Sequence, residues 1–314
     1  MADWIVVGGS GFVGGGIVDI LASSGHGVLK QVAPRVLADP KWSAQEVLAE
    51  ASKHVEEIAA LAASFADKDV VVNAAGLATP GGGRSLELFG ANAVLPVLIW
   101  LAAKQAGVRT YVHISSAAVQ GRRPVLDGSW DHQPFSPYSV SKALGERALR
   151  LLMDQTLTRP LTVRIVRATS IQDPSRSTTR SLIRFARSPL ASVAAPGSAP
   201  SPVSSLGGLA EYVLAVGDAP ERVPTVSVQP WEGLTVRDVV LQHGHKEPLQ
   251  LPPALCRLML KVGYWLAKFG SPKVDSVVRR AEVLWFGQRI SQASASQSIG
   301  IGECTSAAGE RAQE

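Results

Sequence analysis

Tyr138 and Lys142 stand four residues apart in PYSVSKALGE, residues 137–146, a stretch that reads as the opening of a helix. Positions i and i+4 share a helix face, so the phenol and the ammonium lie on adjacent turns. A tyrosine hydroxyl titrates near pH 10 and is a sluggish base at neutrality. An ammonium about 4 Å away, at an effective dielectric near 20, favours the phenolate by up to ~4 kcal/mol, or ~3 pK units. Tuning a general acid–base group in this way is worth ~10²–10⁴ in rate. The pair alone is also what a phenol packed beside a solvated lysine looks like, so it needs company.

HISSAAVQG, residues 113–121, supplies two serines at the end of a strand pattern, Ser115 and Ser116. At the carboxyl edge of a parallel sheet such a strand end faces the crevice where cofactors lie. A serine hydroxyl there can hold a substrate oxygen while Tyr138 exchanges a proton with it. VVGGSGFVG, near the N-terminus, places Gly8, Gly11 and Gly14 between a strand and a helix. In that setting Gly8 permits the tight turn, Gly11 lets backbone approach a pyrophosphate, and Gly14 lets the helix pack closely on the strand. The helix N-terminus then offers free N–H groups to the phosphates. No acid stands at the end of the second strand to hold an NAD ribose, and Arg35 is placed to meet a 2′-phosphate. The cofactor expected is NADP or NAD, with NADP favoured.

These groups must be held by a regular scaffold. WIVVGG (4–9), VLKQVA (28–33), DVVVNAAG (69–76), RTYVHISS (109–116) and LTVRIVRA (161–168) read as strands rich in Val and Ile. Between them lie helical patterns, including one over 43–66 and one over 138–155. Alternation of this kind predicts an α/β fold with a doubly wound parallel sheet. Residues 1–170 are read as the dinucleotide-binding domain. Residues 171–314 are read as mainly a smaller substrate-binding domain, with part of 206–230 returning to the sheet.

Composition narrows the class. With 46% hydrophobic and 18% charged residues, the chain buries a sizeable core; a net charge of +5 suits an anionic ligand and is too mild for nucleic acid. Cys256 and Cys304 form no C-x-x-C, and no metal is expected. A strand pattern begins within four residues of Met1, and no run of 18 uncharged apolar residues occurs, so neither a signal peptide nor a spanning helix is expected. A cytoplasmic location follows as the expectation.

The combination of GGSGFVG, NAAG (73–76), HISSAAVQG and YSVSK followed by Glu146 resembles the extended short-chain dehydrogenase/reductase superfamily, in its epimerase/dehydratase branch. The resemblance implies catalytic roles for Ser116, Tyr138 and Lys142, with Ser115 behind, and places Asn92 near the active site. It implies cofactor contacts from Gly8, Gly11, Phe12, Val13, Gly14, Ala74, Ala75 and Gly76. In RIVRATSIQ (164–172) it implies the same for Ala168 and Thr169. It also implies a homodimer through helices around 86–106 and 138–155. Residues 294–312 resemble the family's closing segment. Gln120 departs from the tyrosine usual there, and Ala117 and Ala118 stand where a dehydratase has an acid pair.

Two features of the second half bear on substrate. Arg176, Arg180, Arg184 and Arg187 are spaced four, four and three, as along one helix face, with no acid between Asp173 and Glu211. The resemblance sets that region against a substrate diphosphate; a solvated basic face has the same spacing. At 254–270, Arg257, Lys261 and Lys268 share a stripe apart from Leu258, Trp265, Leu266 and Phe269. The reading adopted is a helix packed on its own domain, the alternatives being an anionic membrane or a hydrophobic substrate. The expected activity is reduction or epimerisation of a nucleoside-diphosphate (4-keto) sugar. A 3β-hydroxysteroid dehydrogenase-like enzyme acting on a lipid alcohol is the first rival. A non-catalytic NADP(H) sensor is the second.

Overall fold

The computed structural model describes residues 2–78, 83–155, 161–269 and 272–291. The Val- and Ile-rich runs form a six-stranded parallel sheet: β1 (Asp3–Val7), β2 (Gly27–Gln31), β3 (Val70–Asn73), β4 (Thr110–Ser116), β5 (Thr162–Ala168) and β6 (Val226–Val228). Their order is β6-β5-β4-β3-β1-β2. β3 is wholly buried and β4 nearly so, as strands covered on both faces must be. The strand order reverses at β1, from which β2 leads one way and β3 the other. The crevice at the carboxyl ends therefore opens beside β1.

Ten helices are labelled in chain order: α1 (Phe12–Ser23), α2 (Ala44–Ala51), α3 (Val55–Ser64), α4 (Leu95–Gln105), α5 (Pro137–Asp154), α6 (Ser177–Ala186), α7 (Leu206–Asp218), α8 (Val236–Gly244), α9 (Pro253–Phe269) and α10 (Pro272–Phe286). α1 and α7 cover one face of the sheet, around Trp4, Ile17, Leu21 and Tyr212. α2 to α5 cover the other, around Phe65, Phe89, Trp100 and Tyr111. Doubly wound is thus the correct class.

Two local readings change. The single helix expected over 43–66 is two, broken at Ser52–His54, where His54 leaves helical geometry. Ser43 starts α2 with a reciprocal capping box to Glu46. The break lets α2 lie on α5 while α3 lies on α4. The two helices through which the resemblance implies a homodimer are therefore packed by the chain's own α2 and α3. The second change is α9, which does not pack inward along its apolar length. Only Cys256 and Leu260 are buried, whereas Trp265 is 58% and Phe269 78% exposed. α10 pairs with it and has no counterpart in the sequence reading.

Three short parallel strand pairs organise the remainder: Ser170–Ile171 with Val203–Ser204, Ser192–Ala194 with Leu249–Leu251, and Val125–Leu126 with Arg289–Ile290. Among the described residues one helical run, Leu86–Gln105, is long and apolar enough to cross a membrane, and 78% of it is buried inside the protein. The closing segment 294–312 and Cys304 lie outside the described residues.

Candidate active site

The glycine turn is built by close approach. Gly8 adopts φ +81°, donates to Gln31 O at 2.9 Å and accepts from Gly11 N at 2.9 Å. A Cβ there would lie 2.8 Å from the backbone of Ala75, and one at Gly14 would lie 2.2 Å from Gly8 O. Side chains are thus excluded where the strand, turn and helix meet. Gly11 caps α1 with no side-chain hydrogen bond, so the N–H groups of the first turn stay unclaimed by any cap. A cleft of about 460 Å³ opens over this turn, lined by Gly8, Gly11, Phe12 and Val13 on one side and Ala74–Gly76 on the next strand end. The backbone cradle and uncapped helix end fit a pyrophosphate.

The strand ends and the start of α5 carry the candidate groups. Val7 is in register with Asn73, Asn73 with His113, and Ser116 with Ala168. Ser116 closes β4, its hydroxyl accepting from Ala118 N at 3.2 Å. Tyr138 opens α5, which starts at a Ser136 N-cap followed by Pro137. Burial raises the Tyr138 phenol, while a hydrogen bond with Ser116 and the charge of Arg176 pull it down. Lys142 is buried and donates to Ile114 O at 3.0 Å. Burial lowers its ammonium to about 8, against the opposing pull of Glu146. The charge of Arg176 thus adds to the pull on the phenol, and Lys142 lies buried one turn further along α5.

Asn92 sits in a π-helical turn, Gly90–Val94, just before α4. Its amide donates to Leu77 O (2.9 Å) and Ser141 Oγ (3.0 Å) and accepts from Leu77 N (3.1 Å). It ties the loop after β3 to α5, and a Cβ at Gly76 would lie 2.8 Å from its Oδ1 and 3.1 Å from Lys142 Nζ. Ser115 faces away from the cleft and donates to Glu146 at 2.6 Å. Glu146 also takes Arg167 at 2.6 Å and meets His132 at 2.8 Å, all in the interior. Burial alone would raise its carboxyl, but the His132 hydrogen bond and the Arg167 charge hold it down at about 2. Arg167 further donates to the carbonyls of Asp127 and Ser129 at 2.8 Å each. This cluster fixes Ser115, and with it the strand end that carries Ser116.

A model of the NAD dependent epimerase/dehydratase family matches residues 4–200. The chain belongs to that family. No curated protein sequence matches it. Solved structures extend the likeness in fold. The structure of gox2253 is 19% identical with a TM-score of 0.61, covering 96% of this chain and 93% of that one. MoeE5 in complex with UDP-glucuronic acid and NAD is 21% identical, with a TM-score of 0.56 over 80% of this chain and 85% of its own. The UDP-Glc/GlcNAc 4-epimerase of Campylobacter jejuni is 18% identical, with a TM-score of 0.56 over 81% and 87%.

Within this family member the four arginines part company. Arg176 precedes α6 as its N-cap, lines the cleft with Ser175, Ser177 and Thr178, and lies over the Phe12 ring at 5.5 Å. Arg180 folds back on the carbonyl of Ser175, Arg184 is exposed, and Arg187 reaches His243 O at 3.4 Å. None of these three lines the cleft. Arg35 is exposed on the segment after β2 and is not part of the lining. Lys30, at the end of β2, comes closer: a Cβ at Gly9 would lie 3.0 Å from its Cγ. Its place beside a glycine turn was the available signal. Thr169, next to Ala168, donates to Ser204 Oγ at 2.7 Å. Gln120 is buried and donates to Asp127 at 2.8 Å, so it shapes the 127–131 loop from the position where a tyrosine is usual.

Proposed function

We propose that this chain is an NAD(P)-dependent oxidoreductase that reduces or epimerises a nucleotide-activated 4-keto sugar at a Ser116–Tyr138–Lys142 site. The observation that carries the reading is Arg176. One guanidinium lines the cleft above the glycine turn and covers Phe12, and its charge adds to the Ser116 hydrogen bond in opposing the rise that burial gives the Tyr138 phenol. Arginine suits a diphosphate because its planar fork donates two parallel hydrogen bonds. The solved complex of MoeE5 with UDP-glucuronic acid and NAD, on the same fold, supports that substrate class.

The nicotinamide cofactor, when bound, supplies or receives the hydride. Ser116 holds the substrate oxygen, and in the reductive direction Tyr138 gives that oxygen its proton. Lys142, buried one turn on, presents the second cation of the site. Asn92 acts as a positioning residue, through the Leu77 loop and Ser141. Lys30 beside the glycine turn, with no acid at the end of β2, favours the 2′-phosphate of NADP.

Thermal unfolding with NAD⁺ or NADP⁺, each with and without UDP or dTDP, tests the reading. A ligand at 100 times its Kd stabilises by about 2.7 kcal/mol. The expected result is a cofactor shift, larger with NADP⁺ and enlarged further by a nucleoside diphosphate, the second increment shrinking in Arg176→Ala. A cofactor shift indifferent to every nucleotide would favour a lipid alcohol substrate instead. Tyr138→Phe should lose about 10²-fold or more in turnover while keeping the cofactor shift, which separates an enzyme from a sensor.

A further inference from the structure

α9 presents an apolar face that no described part of the protein covers. Leu258, Val262, Trp265, Leu266 and Phe269 are 49–78% exposed. At 3.6 residues per turn they fall within an arc of about 100°, the width of a complete apolar stripe. The residues that hold α9 to the body, Cys256 and Leu260, project from the other side. Trp265 and Phe269 pack edge to face at 5.4 Å, making a broad aromatic end to the stripe. α10 adds exposed Val274 and Val277.

Charge selects the occupant. The 17 residues of α9 contain Arg257, Lys261 and Lys268 and no acid, and all three basic side chains are exposed. On the helical wheel they fall together, between the buried side and the apolar arc, with Trp265 at the border. A stem laid along apolar surface with its cation at the headgroups, and an indole at the boundary, is the pattern of a helix lying in a bilayer surface. A second copy of the chain would set two such stripes of like charge against each other. Docked in a bilayer, the same cations meet phosphate.

We propose that α9 lies in the surface of an anionic phospholipid bilayer, its Leu258–Phe269 stripe at the acyl boundary and Arg257, Lys261 and Lys268 against the headgroups. The active-site residues remain in the body of the fold, so the bilayer is an anchorage and not the substrate. The test is flotation of the full chain with vesicles of phosphatidylcholine alone or mixed with phosphatidylserine. The chain should float with the mixed vesicles, less so in high salt. Leu258→Gln with Leu266→Gln should abolish flotation while leaving the unfolding midpoint in place. Lys261→Gln with Lys268→Gln should lower partitioning on the order of 25-fold, about fivefold per cation. Absence of flotation, or binding indifferent to phosphatidylserine and to the lysines, overturns the proposal. So does a dimer in sedimentation that the leucine substitutions split, since a second copy would then be the occupant.

Discussion

The molecule carries two helix pairs with opposite fates. α2 and α3 lie against α4 and α5, and Val47, Ala51, Leu61 and Ala62 vanish into the core with Phe65. α9 and α10 pack on each other and touch the body by a narrow strip, through Cys256, Leu260 and Leu284. Arg122 pairs with Asp275 and stands over the Tyr264 ring, while Tyr264 and Arg279 both bond Glu282. Both pairs have amphipathic sequences. Periodicity declares that a face will be apolar, and only the fold decides what covers it. The first pair is inserted between β2 and β3, where two helices already wait to receive it. The second follows the last sheet strand and meets no such layer.

The widest separation between the two pairs should come from placing a charge on each. Val47 is fully buried in α2. Val47→Asp leaves an unpaired carboxylate in the core and should cost on the order of 4 kcal/mol, lowering the midpoint on the order of 10 °C. A loss below about 1 kcal/mol in urea unfolding would mean that α2 is not part of the packed layer.

Much of this architecture was legible in the sequence, for identifiable reasons. Four of the five strands announce themselves because buried parallel strands are continuous apolar runs, the edge strand β2 by its place in the alternation, and the glycine turn because only glycine fits the contacts at positions 8 and 14. Tyr138, Lys142 and Ser116 are singled out by type and spacing, and the site they form is the one proposed above. The arginine series misled because its spacing was measured on one helix, whereas Arg176 stands before α6 and only the others ride on it or end it. The break at Ser52–His54 left no proline or glycine to mark it. His132 could not be read at all: its importance lies in meeting Glu146 across 14 residues, with Arg167 arriving from another strand.

That interior cluster predicts the next largest effect. Glu146 titrates at about 2 in the folded protein against an ordinary 4.5, so it contributes stability that is complete above pH 4.5 and is lost as pH falls toward 2. The loss follows by linkage from the lowered carboxyl. Urea unfolding across that range should show the acid slope, and Glu146→Gln should flatten it at the cost of an unpaired Arg167. An unchanged slope in the variant would remove Glu146 from the account.

The fastening of the second pair should be weaker and local. Arg122 and Asp275 are partly exposed, a setting in which an ion pair is worth about 0.5–1 kcal/mol. Asp275→Ala should speed amide exchange in α9 and α10 about two- to fivefold, with exchange in α2 and α3 unchanged. Equal acceleration in both pairs would show that the second is no more loosely held than the first.

The smallest effect belongs to the outer face of α9, and its smallness is what matters. Leu258 is 58% exposed, so exchanging it for glutamine removes little buried area. Helix propensity hardly changes, since Leu and Gln are both good helix formers. Leu258→Gln in water should therefore leave stability within about 0.5 kcal/mol. A leucine that a water-facing helix can lose without cost is not there for folding. If the substitution instead costs several kcal/mol, the face is packed in solution and the contrast with α2 collapses. If stability holds while binding to anionic vesicles disappears, the stripe is reserved for a surface outside the chain.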